Sequence, residues 1–161
     1  MLRNASANAS EKARFLTECS ANRIYYCSSI SRSKKISNNQ IGLFSGIEFN
    51  VNPELELNGF CDFIISHSTL QTIIQAPIVT LVEAKNDNIK SGFDKCIAEM
   101  VAAQIFNQNK GNDIRKIYGA ITTGTAWQFL ELEAQTLVLD LEEYSIKNLP
   151  QILGILTSFV S

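Results

Sequence analysis

IVTLVEAKNDNIKSGFDKCIAEMVAAQIFNQN, residues 78–109, holds the change of hydrophobic period that decides the fold. Behind Pro77 the stretch is β-branched and apolar until Glu83 and Lys85 interrupt it, which reads as a strand from Ile78 to Lys85. Alternation along a strand places Val79, Leu81, Glu83 and Lys85 on one face and Ile78, Thr80, Val82 and Ala84 on the other. Asn86-Asp87-Asn88 supplies a turn and a helix cap. From Ile89 to Asn109 apolar residues return in steps of four, at Ile89, Phe93, Ile97, Val101 and Ile105, so a helix with that face toward the core is expected.

On either side of this stretch the pattern supplies the rest of a sheet. Ile41 to Val51 (IGLFSGIEFNV) predicts a strand ending at Asn52-Pro53, and Asn58-Gly59 leads into a second strand, Phe60 to Ser66, joined to it as a hairpin. Beyond Gly111-Asn112, strands are expected at Ile117–Gly124, Trp127–Glu133 and Thr136–Asp140, followed by a closing helix over 148–160 with proline in its first turn. Upstream, Glu11 to Ile30 is weakly helical behind Ser10, and residues 31–39 (SRSKKISNN) read as a loop. The expected organisation is a tail, weak helix and linker over residues 1–40 and a core domain over 41–161. Its class is α/β (α+β), a central mixed β-sheet flanked by helices.

With 161 residues, 45% hydrophobic and 19% charged, the chain has apolar side chain enough for one compact core. A formal net charge of −2 argues against a protein that coats polyanions through bulk positive charge, so any nucleic-acid contact has to be local. The local candidates are Arg32, Lys34 and Lys35, and the set Lys85, Lys90, Lys95, Lys110, Arg115 and Lys116. Cys19, Cys27, Cys61 and Cys96 form no C-x-x-C pair and read as reduced, mostly buried thiols. His67 is the only histidine, which excludes two-histidine metal chemistry and leaves it a surface reading. Neither G-x-S-x-G nor a phosphate-cradling G-x-x-x-x-G-K-[ST] is written in the chain. MLRNASANASEK lacks the apolar region of a secretory signal, and no apolar run approaches a membrane span, so a cytoplasmic protein without membrane contact is expected. Trp127, inside a strand pattern, reads as core.

Two carboxylates break the apolar logic of the strands. An ionised Asp62 inside FCDFII is costly unless a cation or hydrogen-bond donors meet it. Glu83 and Lys85 project side by side at the end of the next strand. If those strands are neighbours, Asp62 approaches Glu83, and paired carboxylates repel unless a cation lies between them. Hard oxygen ligands of this kind suit Mg2+ or Mn2+, and the fitting chemistry is phosphodiester hydrolysis, with Lys85 orienting water or neutralising developing charge. The same three residues also fit an ordinary ion cluster at strand ends, because E-x-K alone is a weak signal.

GFCDFIIS (59–66), IVTLVEAK (78–85) and the helix containing CIAEMVAAQ (96–104) together resemble the PD-(D/E)XK nuclease superfamily. The later ITTGTAWQFLELE (121–133) is similar to the hairpin after the core helix in the nuclease domain of type I restriction-enzyme motor subunits, so the resemblance covers residues 41–133. It implies a restriction-endonuclease-like fold, a DNA substrate, and Asp62, Glu83 and Lys85 as metal ligands and catalytic lysine. Cys61 stands where the motif carries proline. A further acidic ligand is implied from the first helix, Glu18 or Glu11, with Glu48 on the first strand an equal rival to Glu18. The resemblance also implies a glutamine near the active site, which would be Gln104; a satisfied boundary amide is the alternative. Glu99, about 140° round the helix from Gln104, pairs more naturally with Lys95 one turn back and is set apart from the site. The expected partner is nucleic acid, DNA first, with a homodimer left open. The alternative function is an inactive nuclease-like module for binding or assembly.

Overall fold

Asn52 ends the first strand by turning its side chain onto the backbone N–H groups of Glu54 and Leu55, which starts a 3-10 turn at Pro53–Leu55. That turn joins β1, Gly42–Asn52, to β2, Leu57–Ser66, in the hairpin expected from the sequence. The computed structural model describes residues 41–68, 72–86 and 88–161. Among them the fold is mixed α+β, a seven-stranded sheet flanked by two helices. β3 is Ile78–Ala84, β4 Lys116–Thr122, β5 Ala126–Glu133, β6 Thr136–Leu139 and β7 Tyr144–Ser145. The strands lie in the order β1-β2-β3-β4-β5-β6, with β7 added to β5. All neighbours are antiparallel except β3 and β4. A parallel pair needs a crossover, and helix α1, Phe93–Asn109, makes it. Helix α2, Leu149–Ser158, closes the chain with Pro150 in its first turn. The tail, weak helix and linker expected over residues 1–40 lie outside the described residues.

The core has two main parts. Cys96, Met100 and Ala103 of α1 pack against Leu81, Ile117, Ile121, Leu130 and Leu132, while Ile152 and Leu156 of α2 pack against Phe63, Val82, Ala120, Trp127 and Phe129. The face α1 buries is not the one its apolar steps predict. Cys96, Met100, Ala103 and Asn107 are buried, whereas Phe93, Ile97, Val101 and Ile105 are half-buried along the flank. Close approach to the sheet is the reason: a Cβ on Gly119 would stand 2.5 Å from Met100 Sδ and 3.0 Å from Cys96 Sγ, so small and slender residues take the contact.

Two irregularities reset the side-chain alternation. Between β2 and β3, Ile65 pairs with Thr80 but Ser66 with Ile78, so Val79 is squeezed out of register. Val79 consequently packs beside Val160, and Ile78 joins the cluster under α1, which reverses the expected faces of both residues; the alternation holds from Leu81 onward. Between β1 and β2, Ser45 pairs with Phe63 and Ile47 with Cys61, so Gly46 stands opposite Asp62. Gly46 has φ 58, a left-handed conformation that glycine adopts without steric cost. Phe44 and Phe49, like Cys61 and Ile64, belong to one cluster although the members of each pair stand an odd number of positions apart. The strands therefore exchange faces at Gly46 and Asp62.

Asn107 fastens α1 to the sheet. Its Oδ1 accepts from Ile78 N at 2.8 Å and its Nδ2 donates to Ile78 O at 2.7 Å, in a fully buried place. Removing the amide would strand two buried backbone groups. Asn107→Ala is accordingly expected to lower the unfolding free energy by about 3 kcal/mol in urea denaturation, against under about 1 kcal/mol for the exposed Gln108→Ala.

Candidate functional site: a carboxylate and lysine cluster where strands β2 and β3 part

The last paired residues of β2 and β3 at this end of the ladder are Phe63 and Val82. One step further the register would set Asp62 opposite Glu83, but β2 changes face there. Instead of a backbone carbonyl, Asp62 Oδ2 takes the next N–H of β3, from Ala84, at 2.8 Å. Asp62 Oδ1 accepts no hydrogen bond among the described residues. The half-buried carboxylate thus has one oxygen spent on holding the strand end and one to give.

Glu83 is 1% exposed. Its Oε1 lies 2.8 Å from Lys85 Nζ and its Oε2 2.7 Å from Lys95 Nζ, so one buried carboxylate is clamped between two ammonium groups. Lys85 is fixed at both ends. Its backbone N–H donates to Thr122 O at 2.8 Å across the β3 to β4 seam, and its stem lies against Gly92, where an added Cβ would stand 3.3 Å from Lys85 Cγ. Lys95, on the first turn of α1, reaches a second carboxylate one turn on: Glu99 Oε1 at 3.4 Å. Glu99 is buried, and neither of its oxygens has a hydrogen-bond partner among the described residues; the Cys61 thiol faces the same carboxylate. Lys95 and Glu99 line a cleft of about 320 Å³ beside the cluster, with Phe49, Leu57, Phe60 and Cys61.

Burial dominates the electrostatics. It raises the Glu83 carboxyl above the usual range, against the hydrogen bonds from Lys85 and Lys95, with the charge of Asp62 adding to the rise. Burial likewise pushes Glu99 up to about 7, helped by the charge of Glu83. Burial works against the Lys95 ammonium, yet the hydrogen bond to Glu83 and the charge of Glu99 outweigh it and hold Lys95 more firmly protonated than a free lysine. The thiols of Cys61 and Cys96 are raised, chiefly by burial and then by Glu99, which keeps both in the unreactive protonated form.

No family model, no curated protein and no solved structure matches the chain. The site therefore rests on its own geometry.

That geometry gathers Asp62, Glu83 and Lys85 at one strand end, and it does not gather the other candidates. Gln104 donates from Nε2 to Ala134 O at 3.2 Å, tying α1 to the β5 to β6 turn. It sits nine residues beyond Lys95, about 13 Å along the helix axis. The rotation that buries the small-residue face of α1 turns Gln104 to that turn. Glu48 is exposed and accepts from Asn50 Nδ2 at 2.8 Å, with no ion pair or hydrogen bond to the trio. Glu18 and Glu11 lie outside the described residues. Conversely, Glu99 and Lys95, read from the sequence as a pair one helical turn apart and set apart from the site, do pair, and they pair inside the cluster. Their four-residue spacing was visible; their orientation toward Glu83 depends on the packing of α1. Among the described residues no group of three or more His, Cys, Asp or Glu side chains is arranged as a metal cage.

The raised carboxyl of Glu99 gives a pH prediction. Its folded value, about 7, lies above the ordinary 4.5, so between those values the folded chain binds more protons than the unfolded one. Its contribution to stability is therefore lost as pH rises through that window. Glu99→Gln, which cannot ionise, should gain on the wild type from pH 5 to pH 8, by up to about 3 kcal/mol. Melting temperatures of the two proteins across that range check it; a constant difference would show that Glu99 titrates normally.

Proposed function

We propose that the protein is a divalent-metal-dependent nuclease of the PD-(D/E)XK kind, acting on phosphodiester bonds in DNA. The observation that carries the reading is the convergence of Asp62, Glu83 and Lys85 at the point where β2 leaves β3, with Glu83 buried as a charge-bearing group. A buried carboxylate held by two ammonium groups adds little to stability compared with an apolar pair of similar volume. A role in chemistry accounts for it better. A mixed sheet flanked by helices, the class of fold expected alongside the resemblance, supports this reading at that level.

The donor set fits Mg2+ or Mn2+. Such ions are bound through one or two protein carboxylates, with waters and substrate phosphate completing the shell, so a closed cage of side chains is not required. Asp62, through its unengaged Oδ1, and Glu83 would hold the ion, which when bound supplies Lewis-acid polarisation of the phosphate and an acidified water. The chain's own residues do the rest. Glu83 keeps the Lys85 ammonium at the strand end, and the backbone bond to Thr122 and the contact with Gly92 fix its approach. From there Lys85 Nζ orients the attacking water and offsets negative charge growing on the phosphoryl oxygens. Asp62 and Ala84 N–H hold the parted strands at a set spacing.

The second reading, a nuclease-like module without activity, is favoured by one observation: Lys85 and Lys95 together already engage both oxygens of Glu83. Linear and supercoiled DNA incubated with purified protein and Mg2+ or Mn2+ separates the two. Cleavage is expected, abolished by chelation and reduced about 100-fold or more in Lys85→Ala, assayed at a temperature where circular dichroism shows the variant folded. No cleavage with either ion, or equal rates for wild type and variant, would favour the inactive module or remove Lys85 from the mechanism.

A further inference from the structure

Lys95 occupies a position between two buried carboxylates. Its ammonium stands 2.7 Å from Glu83 Oε2 and 3.4 Å from Glu99 Oε1. The first contact is a full hydrogen bond; the second is longer, and it leaves both Glu99 oxygens without a hydrogen bond among the described residues. A short movement of one flexible side chain would exchange the two. The other ammonium on Glu83 has no such freedom: among the described residues Lys85 has no second carboxylate partner, its stem is packed on Gly92, and its side chain is the less exposed, 26% against 43% for that of Lys95.

We infer that Lys95 is a resident counter-ion of the site, which a divalent cation binding at Asp62 and Glu83 displaces from Glu83 onto Glu99. This rests on the proposed metal site and adds two residues to it. In the absence of the ion, Lys95 neutralises Glu83, whose burial would otherwise make its charge costly. When a divalent charge arrives, the ammonium is both redundant and repelled. Expelling it into water would leave Glu99 buried with no cation, so Glu99 provides the nearer destination. The consequence is selectivity by charge: a monovalent ion cannot replace an ammonium already hydrogen-bonded there, whereas a divalent ion can. Lys95 and Glu99 are positioning residues in this account and touch neither substrate nor metal.

The four proteins of a double-mutant cycle, wild type, Lys95→Met, Glu99→Gln and the double variant, titrated calorimetrically with Mn2+ at about pH 8, test it without reference to catalysis. Folding of each is checked by its circular dichroism melt. Removing the competing ammonium should tighten Mn2+ binding about tenfold, and removing its destination should weaken binding at least about threefold. In the Lys95→Met background, Glu99→Gln should change affinity by less than about twofold, because Glu99 acts only through Lys95. An equal effect of Glu99→Gln in both backgrounds would overturn the proposal, since Glu99 would then act on the ion directly. So would an unchanged or weaker affinity in Lys95→Met. Heat from none of the four would overturn the metal site itself and this inference with it, an outcome distinct from binding with additive effects.

Discussion

The cost of keeping the Glu83 carboxylate ionised away from water governs everything around it. An uncompensated charge at 1% exposure would protonate or unfold its surroundings. The fold answers with two lysines from different directions, Lys85 two residues along the same strand and Lys95 from the helix that follows. Because the crossover between β3 and β4 runs through α1, the first turn of that helix arrives beside the end of β3. The parallel pair is therefore what delivers the second ammonium, and Asn107 at the other end of α1, bound to Ile78 at the start of β3, sets the helix along the strand. Held at both ends of β3, α1 fixes the backbone positions of Lys95 and Glu99, so that the Lys95 side chain stands within reach of both carboxylates.

The opposite side of the site is made by a strand that stops pairing. Gly46 in a left-handed conformation lets β1 and β2 exchange faces, and Asp62 lies opposite it. The carboxylate replaces the missing ladder partner of Ala84, so a feature that would otherwise leave a backbone N–H unmet becomes an anchor. One of its oxygens remains unengaged beside Glu83. With Glu99 there are three carboxylates against two ammonium groups, an excess of negative charge in a partly dry setting. Such a cluster attracts cations in general, and the hard oxygen donors favour the small divalent ones.

Much of this was legible in the chain. The switch of period after Lys85 gave the strand and the crossover helix, and the apolar surroundings of Asp62 and Glu83 marked them as groups in need of partners. Trp127 proved core and His67 exposed, as their contexts indicated. What could not be read depends on packing. The steps of Ile89, Phe93, Ile97, Val101 and Ile105 pointed to one helix face, yet the sheet surface at Gly119 selects the neighbouring face of small residues. That rotation turns Glu99, set apart from the site by its spacing, inward, and leaves Gln104 a boundary amide bonded to the β5 to β6 turn, the alternative to the place near the active site that the resemblance implied. The register slip at Val79, the change of face at Gly46 and the two-residue β7 leave no periodic trace because each involves only one or two positions.

The central claim is that Asp62 and Glu83 converge on a place where one divalent cation binds. The most direct measurement is the anomalous scattering of a crystal soaked in Mn2+. The account predicts a single strong peak about 2.1 Å from an oxygen of each carboxylate, with Lys95 withdrawn from Glu83. A map with no peak there, and Lys95 still hydrogen-bonded to Glu83, would contradict it.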